Sequence, residues 1–406
     1  MTERQTEVGA IPEGWIIVNL EEITTKIGDG IHATPNYSNN GEYYFINGNN
    51  IRDGRIIITE ETKNVDISEF KRYRKDLGES TVLLSINGTI GNLALYRGEP
   101  VILGKSVAYL NIRDQIEKTY LHHALQTDLV ANQFNDGITG TTINNLGLGT
   151  IRNTQIALPP LPEQRAIATA LSDADGLIGA LDALIEKKRA IKQAAMQQLL
   201  TGKKRLPGFE GKWETKRLGE VASIRNQKVL PSNVDPDTLC VELEHIGQGD
   251  GRLLEVSIAQ NSTSSKYRFF TGDVLFGRLR SYLRKFWHAD RDGICTTEIW
   301  PLMVDESRLV SGFLYSTVQS NRFIEAASIS YGTHMPRADW NVMKNFEIHL
   351  PPLPEQTAIA AVLSDMDAEI AALERRREKA EQIKQGMMQQ LLTGRIRLVE
   401  PPEAAA

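Results

Sequence analysis

Three groups of residues have the types that catalytic or cofactor sites use, and each lacks part of the required pattern. Gly104-Lys105-Ser106 ends like a phosphate-binding loop, but Glu99 stands where that loop needs its first glycine. Pro236-Asp237 with Glu242-Leu243-Glu244 resembles a nuclease acidic motif without the lysine that should follow. His122 and His123 adjoin on a predicted helix and point in different directions. The sequence therefore predicts no catalytic residue and no metal site in this chain.

In contrast to these incomplete motifs, cations, aromatic rings and short polar side chains form several clusters in the sequence. Residues 276–285 interleave four cations with aromatic rings, and arginine can donate two hydrogen bonds to guanine or hold phosphates. A cationic run at 71–75 can track phosphates, and polar loops at 85–89, 140–145 and 331–337 offer hydrogen-bonding groups to base edges. The candidate DNA contacts are Lys71, Arg72, Tyr73, Arg74, Ser85, Asn87, Thr89, Thr141, Thr142, Asn144, Arg278, Arg280, Tyr282, Arg284, Lys285, Thr333, His334 and Arg337.

Each of these groups also has a plainer interpretation. The run at 71–75 is equally typical of a solvated charged surface, and residues 276–285 of a solvated basic strand or turn. The loops at 85–89 and 140–145 are equally typical of ordinary turns. The residue types alone do not decide between these interpretations.

One stretch occurs twice and divides the chain. Residues 158–206 and 350–398 both open with Leu-Pro-Pro-Leu-Pro-Glu-Gln, and both contain Met-Gln-Gln-Leu-Leu-Thr-Gly near their ends. At a constant offset of 192 residues, 31 of the 49 aligned positions are identical. A period this long indicates a duplicated domain rather than a solenoid.

Each copy predicts one long helix of about 40 residues, or ~60 Å at 1.5 Å per residue. A proline stands near its start, and Gly202 or Gly394 stands just past its end. Apolar residues at steps of four and three form a heptad seam, which we expect to shift and resume at Ile191 and Ile383. The seam residues are Ile167, Leu171, Ile178, Leu181, Ile359, Leu363, Ile370 and Leu373. Because a lone helix would expose its seam, we expect the two copies to pack together.

The segments before the two helices have the pattern of modules with one shared fold. Both contain short strands broken by glycine and asparagine, one helix (116–134 and 311–327) and a polar loop before the long helix. We predict an α+β chain of two globular mixed α/β modules, each followed by its long helix. The two helices are predicted to form an antiparallel coiled coil with pseudo-two-fold symmetry. The predicted segments are 1–157, 158–206, 207–349 and 350–406.

Composition is that of a globular protein of 406 residues with 41% apolar residues. No apolar run approaches about 18 residues and no charged-then-apolar leader opens the chain, which predicts a cytoplasmic protein with no membrane partner. Cys240 and Cys295 are expected to be core thiols. The net charge is −5, with −5 in residues 1–157 and −1 in residues 207–349. Any DNA contact must therefore come from local patches.

The paired stretches resemble the specificity subunit of type I restriction-modification enzymes. The proline-rich opening, the helix and Gln-Gln-Leu-Leu-Thr-Gly occur twice, and residues 82–91 and 332–336 are similar to that family as well. The resemblance covers nearly the whole chain. It implies that each module is a target-recognition domain for one half of a bipartite target in double-stranded DNA. The helices would then be a spacer, so that shortening them by about one turn changes the unread gap and not the half-sites.

The resemblance also implies partners and a division of labour. Two methyltransferase subunits would dock on this chain, and restriction (motor) subunits would join them. The chain itself would be a non-catalytic subunit of a multisubunit type I restriction endonuclease and adenine-N6 methyltransferase. It would bind no cofactor, because S-adenosylmethionine, ATP and Mg²⁺ would be bound by the partner subunits.

Two other functions are compatible with the residues, and a third, a nuclease, is disfavoured by the missing lysine. A specificity component of a type IIB-like or fused restriction-modification enzyme would read DNA in the same way with other partners. A coiled-coil adaptor would bind protein instead of DNA, and a nuclease would use the acidic pair at 242–244. Co-purification with a methyltransferase subunit and mapping of methylated adenines separate the first two, and a cleavage assay on the chain alone tests the third.

Overall fold

The computed structural model of the chain describes residues 3–6, 9–140, 144–329 and 335–399. The chain forms two compact units: unit 1 is residues 1–181 with 376–406, and unit 2 is residues 182–375. Each boundary cuts a long helix. Each unit therefore contains one module, the first half of the helix that follows it and the second half of the other long helix.

Short elements build the modules, and a helix of 39 residues follows each module. The helices are α1 (Ile67–Tyr73), α2 (Lys118–Ala124), α3 (Asp128–Asp136), α4 (Leu148–Asn153), α5 (Leu161–Leu199), α6 (Leu218–Val221), α7 (Ser311–Gln319), α8 (Asn321–Ser328), α9 (Trp340–Met343) and α10 (Leu353–Leu391). The strands of unit 1 are β1 (Glu3–Thr6), β2 (Gly9–Pro12), β3 (Ile16–Asn19), β4 (Thr24–Asp29), β5 (Tyr43–Ile46), β6 (Ile51–Arg52), β7 (Arg55–Ile56), β8 (Asn64–Val65), β9 (Thr81–Ser85), β10 (Leu93–Leu95), β11 (Val101–Leu103), β12 (Val107–Ile112), β13 (Ile138–Thr139), β14 (Asn145–Leu146) and β15 (Gln155–Leu158). The strands of unit 2 are β16 (Glu214–Arg217), β17 (Ala222–Ile224), β18 (Lys228–Val229), β19 (Leu239–Val241), β20 (Ser257–Ile258), β21 (Lys266–Phe269), β22 (Val274–Gly277), β23 (Phe286–His288), β24 (Gly293–Thr296), β25 (Ile299–Val304) and β26 (Glu347–Leu350).

The two modules have the same sheet topology. A four-stranded sheet has the order β10-β9-β12-β4 in unit 1 and β23-β22-β25-β17 in unit 2. A second sheet has the order β11-β5-β8 in unit 1 and β18-β21-β24-β19-β20 in unit 2, with one parallel pair in each (β11 with β5, β24 with β19). The predicted fold class is confirmed, and unit 2 differs by two extra strands in its second sheet.

The single helix predicted before each polar loop is wrong in both modules. Residues 116–134 and 311–327 each contain two helices with a break between them. In unit 1 the Thr127 hydroxyl donates to the carbonyl of Ala124 (2.8 Å), and in unit 2 the Ser320 hydroxyl accepts from the N–H of Phe323 (3.3 Å). Thr127 thus hydrogen-bonds the end of α2 and Ser320 caps the start of α8, which apolar periodicity does not reveal.

Both long helices contribute to the core of each unit. In unit 1, Leu171 of α5 and Leu391 of α10 are buried in one cluster with Tyr120 of the module. In unit 2, Leu363 of α10 and Leu199 of α5 are buried in the equivalent cluster with aromatic residues of α7 and α8. The apolar faces of the long helices therefore pack on the modules as well as on each other.

The predicted seam residues are all buried or half-buried. Its predicted continuation is confirmed only in part: Ile191 and Ile383, where it should resume, are 44% and 51% exposed, whereas Leu199 and Leu391 at its far ends are buried. Near those ends Met196 and Leu199 of α5 and Leu391 of α10 pack on the modules. One heptad face therefore does not serve the whole length of either helix.

Ion pairs show that the helices are antiparallel in unit 1. Asp175 lies 2.6 Å from Lys384, and Glu163 lies 2.5 Å from Arg397. Moving forward along α5 from Glu163 to Asp175 therefore means moving backward along the second copy from Arg397 to Lys384. The equivalent pairs of unit 2 recur at the 192-residue offset and are Lys192 with Asp367 (2.5 Å) and Arg205 with Glu355 (2.5 Å).

A buried carboxylate holds the start of each long helix. The Glu163 side chain is 2% exposed and accepts hydrogen bonds from Trp15 Nε1 (3.0 Å) and from Arg397 Nε and Nη2 (2.5 and 2.7 Å). Because a buried carboxylate is costly without partners, these three bonds determine how the segments meet. We call this arrangement the Trp–Glu–Arg clamp. In unit 2 it consists of Trp213, Glu355 and Arg205.

Glycine follows each long helix, as predicted from its position just past the helical pattern. Gly202 and Gly394 have φ of +69° and +70°, the left-handed conformation that favours glycine. An added Cβ at Gly202 would lie 3.3 Å from the ring of Trp213, and one at Gly394 would lie 2.2 Å from Pro12. The end of each long helix therefore packs beside the clamp at the start of the other long helix.

Both cysteines are buried free thiols, as expected from their number. Burial raises the pKa of Cys240 to about 11. Among the helices in the described ranges, none is both long and apolar enough to cross a membrane.

Candidate nucleic-acid interface

In unit 1 the turn after β9 lies beside the segment before α4. We call residues 86–92 with residues 144–147 loop pair 1. Gly88 N–H donates to the carbonyl of Asn144 (3.1 Å), and Leu146 N–H donates to the carbonyl of Ile86 (2.8 Å). The structure thus brings together two polar loops that lie far apart in the sequence.

The side chains of loop pair 1 are short and polar. Asn87 is half-buried, and its amide donates to Asn145 Oδ1 (3.3 Å). Thr89 and Asn144 are exposed. Asparagine and threonine have the donors and acceptors that base edges require, so loop pair 1 presents a surface that can read bases.

In unit 2 the equivalent segments also lie side by side. We call residues 278–285 with residues 335–338 loop pair 2. Arg280 N–H donates to the carbonyl of Pro336 (2.8 Å), and Ala338 N–H donates to the carbonyl of Arg278 (2.8 Å). The long basic segment is therefore a loop fixed along its first half.

One backbone bridge is common to the two loop pairs. Asn87 pairs with Asn145 in unit 1, and Leu279 pairs with Arg337 in unit 2. Both members of the second bridge stand 192 residues after those of the first. The modules therefore keep one backbone arrangement here and carry different side chains on it.

Arg337 is held by a neighbouring carboxylate. Its Nε and Nη2 donate to Glu298 at 2.9 and 2.8 Å, and these hydrogen bonds raise the pKa of Arg337. The edge of the Arg337 guanidinium that would donate two hydrogen bonds to guanine is therefore already bound to Glu298. In this conformation Arg337 orients the loop rather than offering a bidentate contact.

Arg284 and Lys285 are anchored in the same way. Arg284 donates to Asn321 Oδ1 (2.9 Å) and to the carbonyl of Gln319, and burial lowers its pKa. Lys285 Nζ donates to the carbonyl of Leu243 (2.8 Å). Both cations therefore fix the base of loop pair 2 to the module.

The remaining predicted contacts of loop pair 2 are Tyr282 and Arg280 at its tip and Arg278 at its first residue, which we call its root. Tyr282 and Arg280 are exposed. Arg280 and Arg284 have φ of +51° and +54°, and such left-handed non-glycine residues cost on the order of 1–3 kcal/mol each and cluster at functional sites. Arg278 lies 5.6 Å from the ring of Trp300, and within the described ranges its Nε is buried without a hydrogen-bond partner.

Ser85 is the one predicted contact that the structure places in the core. It is fully buried, and its hydroxyl accepts from the N–H of Asn92 (2.9 Å) to close the turn of loop pair 1. Every residue of β9 is buried, so the usual alternation of inward and outward side chains ends only after this strand. Ser85 therefore shapes the turn and cannot reach a base edge.

The cationic run at 71–75 lies on and just after α1. Lys71, Arg72 and Arg74 are exposed, while Tyr73 is half-buried with the Arg72 guanidinium 5.0 Å from its ring. Phe70, one residue earlier, stacks on Tyr43 of β5 at 4.0 Å. The run is thus carried by the second sheet of unit 1 and not by the four-stranded sheet from which loop pair 1 projects.

Four predicted contacts, Thr141, Thr142, Thr333 and His334, lie outside the residues that the structure describes. Asn145 of loop pair 1 and Glu298, which binds Arg337 of loop pair 2, shape these surfaces and are absent from the predicted contacts. Asn145 is signalled by its position 192 residues before Arg337. Glu298 has no sequence signal, because only the fold brings its carboxylate to Arg337.

Of the residues first considered for chemistry, Ser106 is hydrogen-bonded within the module and the two histidines are buried. The Ser106 hydroxyl accepts from Gly48 N–H (2.9 Å) and donates to Asn47 (3.0 Å). His122 and His123 are buried, and burial lowers the pKa of each to about 4, so both are neutral at pH 7. Among the described residues, no group of three or more His, Cys, Asp or Glu side chains could hold a metal ion.

Solved structures of type I systems have the same fold. The S subunit of a type I restriction-modification system from M. genitalium is 16% identical, covers 94% of this chain and 96% of its own, and superposes with a TM-score of 0.60. A structure described for complex assembly and conformational transition of the type I system is 19% identical, covers 95% of this chain and 99% of its own, and gives a TM-score of 0.54.

Sequence comparison agrees over the whole chain. The MjaVIII specificity subunit of Methanocaldococcus jannaschii is 25% identical over 96% of this chain and 94% of its own. The EcoDI specificity subunit of Escherichia coli is 23% identical over 90% of this chain and 84% of its own. The family model "Type I restriction modification DNA specificity domain" matches residues 12–189 and again residues 210–385. With two such matches spanning most of its length, the chain belongs to the family of type I restriction-modification specificity subunits.

Proposed function

We propose that each unit reads one half of a bipartite DNA target through its loop pair, as the DNA-recognition subunit of a type I restriction-modification complex. The observation that carries this proposal is the shared bridge with exchanged side chains. Asn87 and Asn145 in unit 1 stand where Leu279 and Arg337 stand in unit 2. One scaffold with two different surfaces is what reading two different half-sites requires.

The chemistry of the two surfaces differs in kind. Loop pair 1 offers amides and hydroxyls, and an asparagine can hold adenine with two hydrogen bonds. Loop pair 2 offers Arg280, the root cation Arg278 and the ring of Tyr282. Each good bidentate contact discriminates against a wrong base by about 1–3 kcal/mol, so two or three per unit suffice for a short half-site.

Catalysis in this proposal belongs to partner subunits, and the present chain is non-catalytic. Two methyltransferase subunits that bind S-adenosylmethionine methylate adenine, and restriction subunits that use ATP and Mg²⁺ cut unmodified DNA. The near-identity of the two arms supports a pair of identical partners, because 31 of 49 positions agree between them. The same Trp–Glu–Arg clamp also forms at the start of each.

The test is a methylome. The chain is expressed with its methyltransferase subunit in cells that lack adenine methylation, and methylated adenines are mapped by sequencing. We expect one bipartite motif with a constant gap. Replacing Asn87 and Asn145 with alanine should make one half of that motif degenerate and leave the other half unchanged.

The matched control is Thr169→Ala, an exposed threonine on α5. It should leave both half-sites and the gap unchanged. The proposal fails if no bipartite motif appears, or if the Asn87 and Asn145 substitutions alter neither half or both halves together.

A further inference from the structure

Tyr282 stands at the tip of loop pair 2 and is 53% exposed. It is the central residue of a single 3₁₀ turn, Ser281–Leu283. An exposed ring at a candidate binding surface offers an apolar face with a polar hydroxyl to a partner.

The backbone around this ring is unusually constrained. Arg280 and Arg284, the residues on either side of the turn, are both left-handed. Of the non-glycine residues in the described ranges, the only other one with positive φ is Asp53. Such strained positions persist only where surrounding contacts hold them.

Those contacts come from three other segments. The Ser281 hydroxyl donates to the carbonyl of Ala327 (3.0 Å), and Gly249 N–H donates to the carbonyl of Arg284 (2.9 Å). The Arg284 guanidinium donates to Asn321 Oδ1 at the start of α8 (2.9 Å) and to the carbonyl of Gln319 at the end of α7. The tip is thereby supported from α8, from the loop at 249 and from the end of α7. Because this support is rigid, the Tyr282 ring can contact a partner without being displaced towards the protein.

Unit 1 has no counterpart of this ring. At the 192-residue offset, Tyr282 corresponds to Ile90, which is half-buried and packs against the main core of unit 1. The turn of loop pair 1 exposes the small Thr89 instead. Any contact that the Tyr282 ring makes with a partner is therefore made by unit 2 and not by unit 1.

We propose that Tyr282 inserts its ring between bases of the half-site read by unit 2 and unstacks one base step there. The inference rests on the proposed function and adds a DNA distortion confined to one half-site. Side chains that wedge between base steps kink the duplex, and aromatic rings stack on any exposed base face. Arg280 is exposed beside the ring and can hold a phosphate at the opened step.

The test uses the complex of this chain with its methyltransferase subunit. The probes are duplexes of the mapped target with 2-aminopurine placed in turn along each half-site. The methylated adenines are left out, because a methyltransferase extrudes its target base by itself. We expect fluorescence to rise severalfold at one step of one half-site. Tyr282→Ala should abolish the rise in fluorescence and weaken binding about tenfold. Tyr282→Phe should show the same rise and the same affinity as the wild type.

The matched control is Tyr37→Ala, which removes another exposed tyrosine (49% exposed) from unit 1. It should change neither the fluorescence nor the affinity. The wedge is overturned if Tyr282→Ala leaves the fluorescence rise unchanged, or if the wild-type complex binds specifically with no rise. It is also overturned if Tyr282→Phe loses as much as alanine, because the hydroxyl and not the ring would then make the contact.

Failure of the proposed function gives a different result. In that case the wild-type complex binds the target duplex no more tightly than a scrambled duplex of the same length.

Discussion

Unit 1 and unit 2 share the contacts that fix the ends of the long helices and differ at their exposed loops and in part of the buried core. The clamp, the Asp–Lys pair and the loop bridge recur at corresponding positions. The tips of the loop pairs and the junction at α2 and α7 do not. His122 and His123 of α2 correspond to Leu314 and Tyr315 of α7 at the 192-residue offset. Both units therefore keep the contacts that hold the module to the long helices. They differ in their exposed loops and in a few buried residues, such as those of α2 and α7.

The largest effect should come from the clamp, where the units are alike. Glu163→Ala leaves Arg397 and Trp15 without their buried acceptor, and breaking such a pair costs about 3–5 kcal/mol. We expect unit 1 to lose this stability in chemical denaturation, with faster hydrogen exchange confined to unit 1. Glu355→Ala should do the same to unit 2. If either substitution loosened the other unit instead, the clamps would not be local devices.

The next effect is acid sensitivity, where the units differ. The pKa of His122 and His123 is lowered from about 6.5 to about 4, so the unfolded chain binds more protons between these values. Their contribution to stability is full above about pH 6.5 and is lost as the pH falls towards 4. At about 1.4 kcal/mol per pKa unit, we expect each histidine to account for a loss of about 3 kcal/mol in unit 1 over this range.

The measurement is unfolding of unit 1, followed by hydrogen exchange at pH 7 and pH 4.5. Giving unit 1 the residues of unit 2, with His122→Leu and His123→Tyr, should remove most of this pH dependence. Substituting the exposed His32 should not. An unchanged slope in the double variant would assign the acid sensitivity to other groups.

A smaller effect concerns the carboxylate that orients loop pair 2. Glu298→Gln weakens the hold on Arg337, so the loop loses its fixed orientation. We expect discrimination at the half-site of unit 2 to fall about tenfold, or about 1.4 kcal/mol, with the other half-site unaffected. Competition binding with single-base variants of each half-site measures this. Glu306→Gln, an exposed carboxylate in the same unit, is the control.

The smallest effect is expected on α1, which has no equivalent in unit 2. If Lys71 and Arg74 hold phosphates, replacing both with alanine should make the plot of log K against log salt less steep. The magnitude of its negative slope should fall by roughly 0.9 per lost contact. The change should be equal on target and scrambled duplexes. Lys187→Ala, an exposed cation on α5, is the control. A loss confined to the target would mean that the run reads bases.

The long helices could be predicted almost completely from sequence, because the repeat and the apolar period report on local structure. Gly202 and Gly394 fall at the predicted helix ends for the same reason. The clamps could not be predicted, since Trp15 and Arg397 meet Glu163 only through the fold. Ser85 was misassigned because its strand is buried on both faces, where a polar residue no longer indicates solvent.

The loop pairs were predictable in part. Their polar composition indicated a surface, and the duplication indicated that the surfaces correspond. Which cations face DNA depends on local partners, as Arg337 shows by its contact with Glu298. Sequence spacing carries no information on such partners, because they come from different strands and loops.

The clamp of unit 1 has a consequence for synthesis on the ribosome. Glu163 and Arg397 are separated by 234 residues, whereas Glu355 follows Arg205 by only 150. At about 5–20 residues per second, the first module waits roughly 12–47 s after Glu163 is made for the arginine that completes its clamp. During that time the apolar face of the first half of α5 has no second helix from its own chain. A nascent chain of this architecture thus exposes its earliest long helix longest, which makes that helix the natural client of a chaperone.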